Sequence, residues 1–197
     1  MTRRLDDLQR IEVKSAVELR NWLEVEHARA ESFWLVTYKK SAGIRHVPYN
    51  DIVEELLCFG WVDSVPRALD EERTMVLISP RKTGSNWSKD NRERIAKLER
   101  EGRMAEAGRA CVETAKRDGS WDRLKQTETG YAPPDLAAAL AAASVEENWQ
   151  EFSLSVRRRA LEFLLSAKRN ETREKRIRQI VEASTVREDP TRWKPKS

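Results

Sequence analysis

The chain has 197 residues, 39% of them apolar and 36% charged, with 37 basic against 33 acidic side chains for a net charge of +4. That balance, with a pI near 9.1, suits a soluble, helix-rich protein of one domain, or one domain with a helical appendage. It permits nucleic acid or anionic ligands as partners without requiring either. The longest low-polarity run, LAAALAAA at 136–143, falls far short of a membrane span, so no membrane insertion is expected. Cys58 and Cys111 stand alone, without a disulfide framework, and His27 and His46 lack metal-ligand spacing. No metal and no cofactor is expected.

Residues 1–14 read as an N-terminal arm without the apolar stretch of a secretory signal. With its isolated cysteines, the chain is expected in the cytoplasm. Ser15 and Glu18 form a capping-box pair that predicts a helix to about Arg29, with Leu19, Trp22 and Leu23 at helical spacing. FWLVTY at 33–38 is β-branched and aromatic and predicts a strand. After a turn at 41–43, IRHV at 44–47 is expected to pair back as a short strand. Asn50 is placed to cap a helix over 51–59, with Ile52, Val53, Leu56 and Leu57 inward and Gly60 at its end. WVDSVPRAL at 61–69 and RTMVLIS at 73–79 predict a hairpin around Asp70-Glu71-Glu72. Pro66 puts the first of these strands at an edge or a bulge.

From Asp90 the periodicity becomes helical. One helix is expected to end at Gly102 and another, over 105–118, at Gly119. QTETGYAPP at 126–134 reads as a loop and an internal boundary, with Pro134 in the first turn of the next helix. Ser144 and Glu147 restart a helix toward Phe152, and two more are expected over 154–169 and 171–183. The predicted organisation is an arm (1–14), a core (15–130), a helical part (131–183) and a loose polar tail (184–197). The fold class is α+β: a small, mostly antiparallel sheet in the N-terminal half, then a helical C-terminal half.

Four stretches carry a family resemblance. They are the YKK end of the first strand, LCFGWVDS at 57–64, SPRKTGSNWSKDN at 79–91 with EGRMAEAG at 101–108, and AKRNETREKRI at 167–177. Together they resemble the YdeI/OmpD-associated family, also called bacteriocin-protection proteins, over roughly residues 20–183. The resemblance implies a setting in stress or antimicrobial resistance and brings no reaction mechanism with it.

Three chemistries compete. The first is a small-anion cleft near 79–91. Lys39, Arg81 and Lys82 would attract the ligand, Ser85, Ser88 and Asn91 would hydrogen-bond it, and Trp87 would form a wall, with Asp63 nearby. Ser88 or Asp90 could equally be a plain helix cap, and Arg81 could pair with Asp63. The second is a hydrolase-like enzyme using Asp63 as acid or base with Lys39 as its partner. The third is nucleic-acid binding by the last helices. There Arg157, Arg158, Arg159, Lys168, Arg169, Arg173, Lys175, Arg176 and Arg178 face only Glu162, Glu171 and Glu174. Neutralising six phosphates would give a log K against log salt slope of about −5. A solvated helix face with ion pairs along it explains the same residues. Whether the chain is an enzyme, and which protein it might partner, stays open at this level.

Overall fold

The computed structural model describes residues 5–192, so the first four residues of the expected arm and the last five of the expected tail lie outside the described residues. The chain divides into two compact units, Met1–Arg123 and Leu124–Ser197.

The first unit is α+β. Its four-stranded sheet has the order β1-β2-β4-β3, from β1 (Arg10–Glu12), β2 (Phe33–Tyr38), β3 (Trp61–Ala68) and β4 (Arg73–Pro80). β1 pairs parallel with β2, and the other pairs are antiparallel. Residues 10–12, read from sequence as part of an arm, thus form an edge strand too short to show a two-residue alternation. All six residues of β2 are buried, which is why its sequence is an unbroken apolar and aromatic run rather than an alternating one. Pro66 lies on edge strand β3, where the register shifts between Asp63 and Pro66. The missing N–H of proline is harmless at such a place.

Helix α1 (Ala16–Glu26) is capped as expected, with Ser15 accepting from the Glu18 amide. Residues 44–47 do not form the expected strand. A 3-10 turn spans Lys40–Arg45, and a single bridge joins Tyr38 to His46. The kink at Gly43, with φ of 65°, ends any extended run there. Helix α2 (Tyr49–Cys58) starts two residues before the expected range, with Pro48 at the N-cap position and no side-chain cap, so Asn50 sits inside the helix. Helices α3 (Lys89–Arg100) and α4 (Glu106–Arg117) complete the unit. One sheet face and these helices enclose Leu19, Leu23, Phe33, Leu56, Trp61 and Leu98, all nearly inaccessible. Trp22 packs edge-on against Phe33 and Trp61 at centroid distances of 5.1 and 5.6 Å. The opposite face of the sheet carries a smaller cluster of Trp34, Val36 and Met75.

Two close interactions fix α2. At its C-terminal end Gly108 of α4 lies against the Cys58 carbonyl, where a Cβ on residue 108 would collide with that oxygen. The Ala105 amide donates to the same oxygen at 3.1 Å. On its outer side Glu54 and Glu55 are buried, and Arg103 donates one nitrogen to each carboxylate at 2.7 Å. Lys97 also reaches Glu54 at 2.8 Å, and Arg20 reaches Glu55 at 2.9 Å. Burial alone would raise the Glu54 pKa, but hydrogen bonds from Lys97 and Arg103 outweigh it and hold the carboxyl below the usual range.

The second unit is helical: α5 (Pro134–Ala142), α6 (Glu146–Glu151), α7 (Leu154–Leu165) and α8 (Asn170–Thr185). Leu136, Leu140, Trp149, Leu161, Leu164 and Ile180 form its core. Ser144 does not cap α6: it takes a positive φ of 55° and Val145 holds the cap position. Ser153 caps α7 instead, accepting from the Val156 amide. Among the described residues, no helix is long and apolar enough to cross a membrane.

Gly108→Ala reverses the usual sign of a helical glycine substitution. On an open helix the change stabilises by about 1 kcal/mol. Here overpacking should cost about 1–3 kcal/mol, seen as a lower urea midpoint. Arg103→Ala should cost about 2–3 kcal/mol, less than the 3–5 of a fully buried pair, because Arg103 is 33% exposed and Lys97 and Arg20 remain. Because Glu54 has a depressed folded pKa, its contribution is complete above the ordinary carboxylate pKa of about 4.3 and is lost as pH falls. The gap between wild type and Arg103→Ala should therefore narrow in urea titrations below about pH 4.

Candidate functional site

Where β4 ends, the chain turns back over the sheet end in a loop, 81–88, that leads into α3. The turn is anchored by the Arg81 amide donating to the Gly60 carbonyl at 2.9 Å. Gly60 needs its φ of 75° to pass from α2 into β3, and a Cβ there would stand 3.0 Å from that of Cys111. The loop tip is tied to the end of α4. Gly84 donates to Asp118 at 3.0 Å, and Arg123 reaches the Gly84 carbonyl at 2.7 Å and Asn86 Oδ1 at 3.3 Å. Between loop and helix lies a cleft of about 240 Å³. Arg81, Lys82, Ser85 and Trp87 line one wall, and Ala107, Cys111, Thr114, Asp118 and Ser120 line the other.

Arg81 is the unusual group. Its guanidinium lies 4.0 Å over the Trp87 ring and donates from Nη1 to the Asn86 carbonyl at 2.9 Å. Nε is buried without a hydrogen-bond partner. Burial pulls the Arg81 pKa below the ordinary arginine value, opposed by the more distant Cys111 and Asp63. Among the described residues it forms no ion pair, because the Asp63 carboxylate is taken at 2.5 Å by the Tyr49 hydroxyl. Trp87 is buried and packs on Trp121 at 5.0 Å, so it belongs to the core and presents one ring face to the arginine. Ser120 Oγ, fully buried, is also without a formed hydrogen bond. It stands close enough to Asp118 to act, with the Ser120 and Gly84 amides, in holding that carboxyl below the usual range. Burial pushes the Cys111 thiol up, and neighbouring Arg81 offsets this in part.

The structure thus gathers Arg81, Lys82, Ser85 and Trp87 and places the other expected residues elsewhere. Ser85 donates its hydroxyl to the Lys82 carbonyl at 2.7 Å, which leaves it an acceptor toward the cleft. Ser88 accepts from the Asn91 amide at 3.2 Å, so these two close the start of α3. Lys39 sits beyond the opposite end of β2, where its amine donates to the carbonyls of Asp70 and Glu71 at 2.7 and 3.1 Å. Tyr38 pairs with Arg73 at the start of β4 and Arg81 follows its end. At about 3.3 Å per residue the strand length keeps Lys39 and Arg81 some 25 Å apart. Cys111, Thr114, Asp118 and Ser120 were not foreseen. Their signal was the small-residue spacing Ala107, Cys111, Thr114/Ala115 on one face of α4.

In the second unit the basic residues are largely engaged. Arg173 grips Asp135 through two bonds of 2.6 and 3.0 Å, and Arg157 reaches Gln150 at 2.5 Å. Arg176 donates to the Phe163 carbonyl and to Ser166, and lies over the Phe163 ring. Arg158 faces Glu162, while Lys168 and Lys175 are exposed. No group of three or more His, Cys, Asp or Glu that could hold a metal occurs among the described residues.

An α+β unit with a cleft at its sheet end, joined in sequence to a helical unit, is the class that these features define. Residues 11–111, just over half of the chain, match the domain of unknown function DUF8412, and the chain belongs to that family. Residues 131–185 match the family described as bacteriocin-protection, YdeI or OmpD-associated. That likeness covers only the second unit, including the AKRNETREKRI stretch. It bears out the resemblance over that part of residues 20–183, while the PRK-x2-S-x-WSK-x-N run lies in the other match. No curated protein and no solved structure matches the chain.

Burial of the hydroxyl end and the hydrogen bond to Asp63 push the Tyr49 pKa up to about 12. Because Tyr49 as a whole is 57% exposed, the hydrogen bond is the contribution that a substitution can remove. Asp63→Asn should bring the Tyr49 titration down toward about 10, followed by NMR of ring-labelled tyrosine. An unchanged titration would show that Asp63 does not hold this hydroxyl.

Proposed function

We propose that the first unit is a binding module for a small anionic ligand, seated in the cleft between the 81–88 loop and α4. Arg81 carries this proposal: a partly buried guanidinium with no acidic partner and an unpaired Nε inside a cleft. Buried polar groups in folded proteins are almost always satisfied, so an unsatisfied one in the wall of a cleft fits a place for a partner. Lys82 adds exposed positive charge at the rim, and Trp87 holds the guanidinium plane by stacking. Binding is favoured over catalysis because the hydroxyl beside Asp118, that of Ser120, is fully buried and the Cys111 thiol is shifted away from the reactive thiolate. The second unit matches a family described as bacteriocin-protection, and within this proposal we place the module in a cytoplasmic protein of stress or antimicrobial resistance. In the second unit Arg157 also has a buried Nε without a partner, but Arg173, Arg157 and Arg176 are otherwise engaged within the unit and, among the described residues, no cleft lined by Arg157 accompanies it, so the reading for the first unit is preferred.

Titration of the full chain with phosphate, nucleotides and carboxylates, followed by amide and indole NMR signals and by melting temperature, tests the proposal. A ligand at 100 times its Kd should stabilise by about 2.7 kcal/mol and move the signals of 81–87 and of the Trp87 and Trp121 indoles. Arg81→Gln should weaken it about tenfold or more, as for a lost charged hydrogen bond. If no anion moves those signals, the cleft is not a ligand site.

A further inference from the structure

The donor set left open in the cleft is narrower than "anion". Arg81 Nη1 is committed to the Asn86 carbonyl, while Nε has no partner and Nη2 makes no hydrogen bond among the described residues. In a guanidinium, Nε and Nη2 form one edge with two parallel N–H bonds, a fork whose spacing matches the two oxygens of a carboxylate. Stacking on Trp87 fixes the plane of that fork. The fully buried Ser120 hydroxyl is turned to Asp118, so Arg81 is the donor this cleft offers.

The charge around the fork limits what it accepts. Asp118, at the end of α4, is exposed, and the Ser120 hydroxyl with the Ser120 and Gly84 amides holds its carboxyl below the usual range. Arg123 is near Asp118 but its guanidinium is tied to Gly84 and Asn86. Asp63 acts on Arg81 through its charge alone, its carboxylate being held by Tyr49. A ligand with one negative charge neutralises Arg81, whereas a second charge on the same molecule meets Asp118 across a cleft of only about 240 Å³. Like charges at such a distance cost several-fold or more in affinity. Lys82 is at the exposed rim, where solvent screens it. Beyond the fork the walls are hydrocarbon and thiol: Phe59, Ala107, Ala115 and Cys111.

Resting on the anion cleft proposed above, we infer that its ligand is a small monocarboxylate with a short apolar body, held by a two-pronged bond to Arg81 and selected against multiply charged anions by Asp118. The carboxylate takes Nε and Nη2, and the body lies along α4.

The experiment compares propionate and butyrate with succinate and inorganic phosphate at equal ionic strength on the full wild-type chain. Kd is read from the 81–87 amides and the Trp87 indole. Butyrate should bind at least about tenfold tighter than succinate or phosphate, the equivalent of one charge-assisted hydrogen bond. Arg81→Lys, which keeps the charge and loses the fork, should weaken butyrate by about tenfold. Asp118→Asn should narrow the gap between butyrate and succinate. Tighter binding of phosphate or succinate, still dependent on Arg81, overturns the monocarboxylate assignment and leaves the anion cleft standing. Silence with all four probes, when phosphate, nucleotides and other carboxylates are silent too, overturns both. The ligand series on the wild-type chain decides the matter even where a variant folds poorly.

Discussion

The geometry of the first unit hangs on one close approach of backbone to backbone. At the end of α2 the Cys58 carbonyl has Gly108 of α4 against it and takes the Ala105 amide as its donor. Two residues on, Gly60 turns the chain at positive φ, with Cys111 beside it, and its carbonyl accepts from Arg81. Four segments therefore meet within a few residues: the end of α2, the start of β3, the end of β4 and the first turns of α4. Side chains at 60 or 108 would wedge α4 off the sheet end. The cleft is the space left just outside this junction, and Phe59, Gly60 and Ala107 are among the residues that line it. Its width is thus set by backbone contacts, which relax less than side chains do.

The ion cluster on the outer side of α2 acts on the same helix from the other direction. Glu54 and Glu55 are adjacent, so on a helix they point about 100° apart. A single arginine can satisfy both only if it arrives from a fixed direction, which Arg103 does from the turn between α3 and α4. Burying two adjacent carboxylates is a poor source of net stability once desolvation is counted. Its effect is registry: the α3–α4 turn has one position relative to α2, which places Gly108 against Cys58. The junction and the ion cluster are two ends of one constraint on α4.

The sequence was legible where local chemistry dictates local structure. Ser15 and Ser153 announce their helices by capping, FWLVTY by composition, and Pro66 by the missing N–H. It was opaque where tertiary contacts decide. Residues 10–12 become a strand only because β2 offers an edge, and IRHV fails to become one because Gly43 kinks the chain. The candidate site divides in the same way. The 81–87 wall could be read from a run of charged and small residues after a strand, and four of the eight expected residues line the cleft. The α4 wall could not, because an alanine, a cysteine and a threonine at helical spacing look like packing until the loop is seen across from them. Lys39 and Asp63 were grouped with the loop by kind of residue, but their positions along β2 and β3 give them other partners.

A desolvated guanidinium without an acid beside it costs the folded state more than an exposed one. The unit carries this cost at Arg81 although simpler arrangements were within reach. Asp63 lies near enough to influence Arg81, yet its carboxylate goes to Tyr49; Asp118 faces the same cleft, yet its oxygens go to Gly84 and Ser120. Asp63, the acid whose charge reaches Arg81, is thus held by another donor, while Trp87 keeps the guanidinium plane in position. Local destabilisation of this kind gathers at functional sites, where a bound partner relieves it. The inference runs from the orphaned edge to the ligand, because a salt bridge to Asp63 would have removed that cost and left the cleft with nothing to offer.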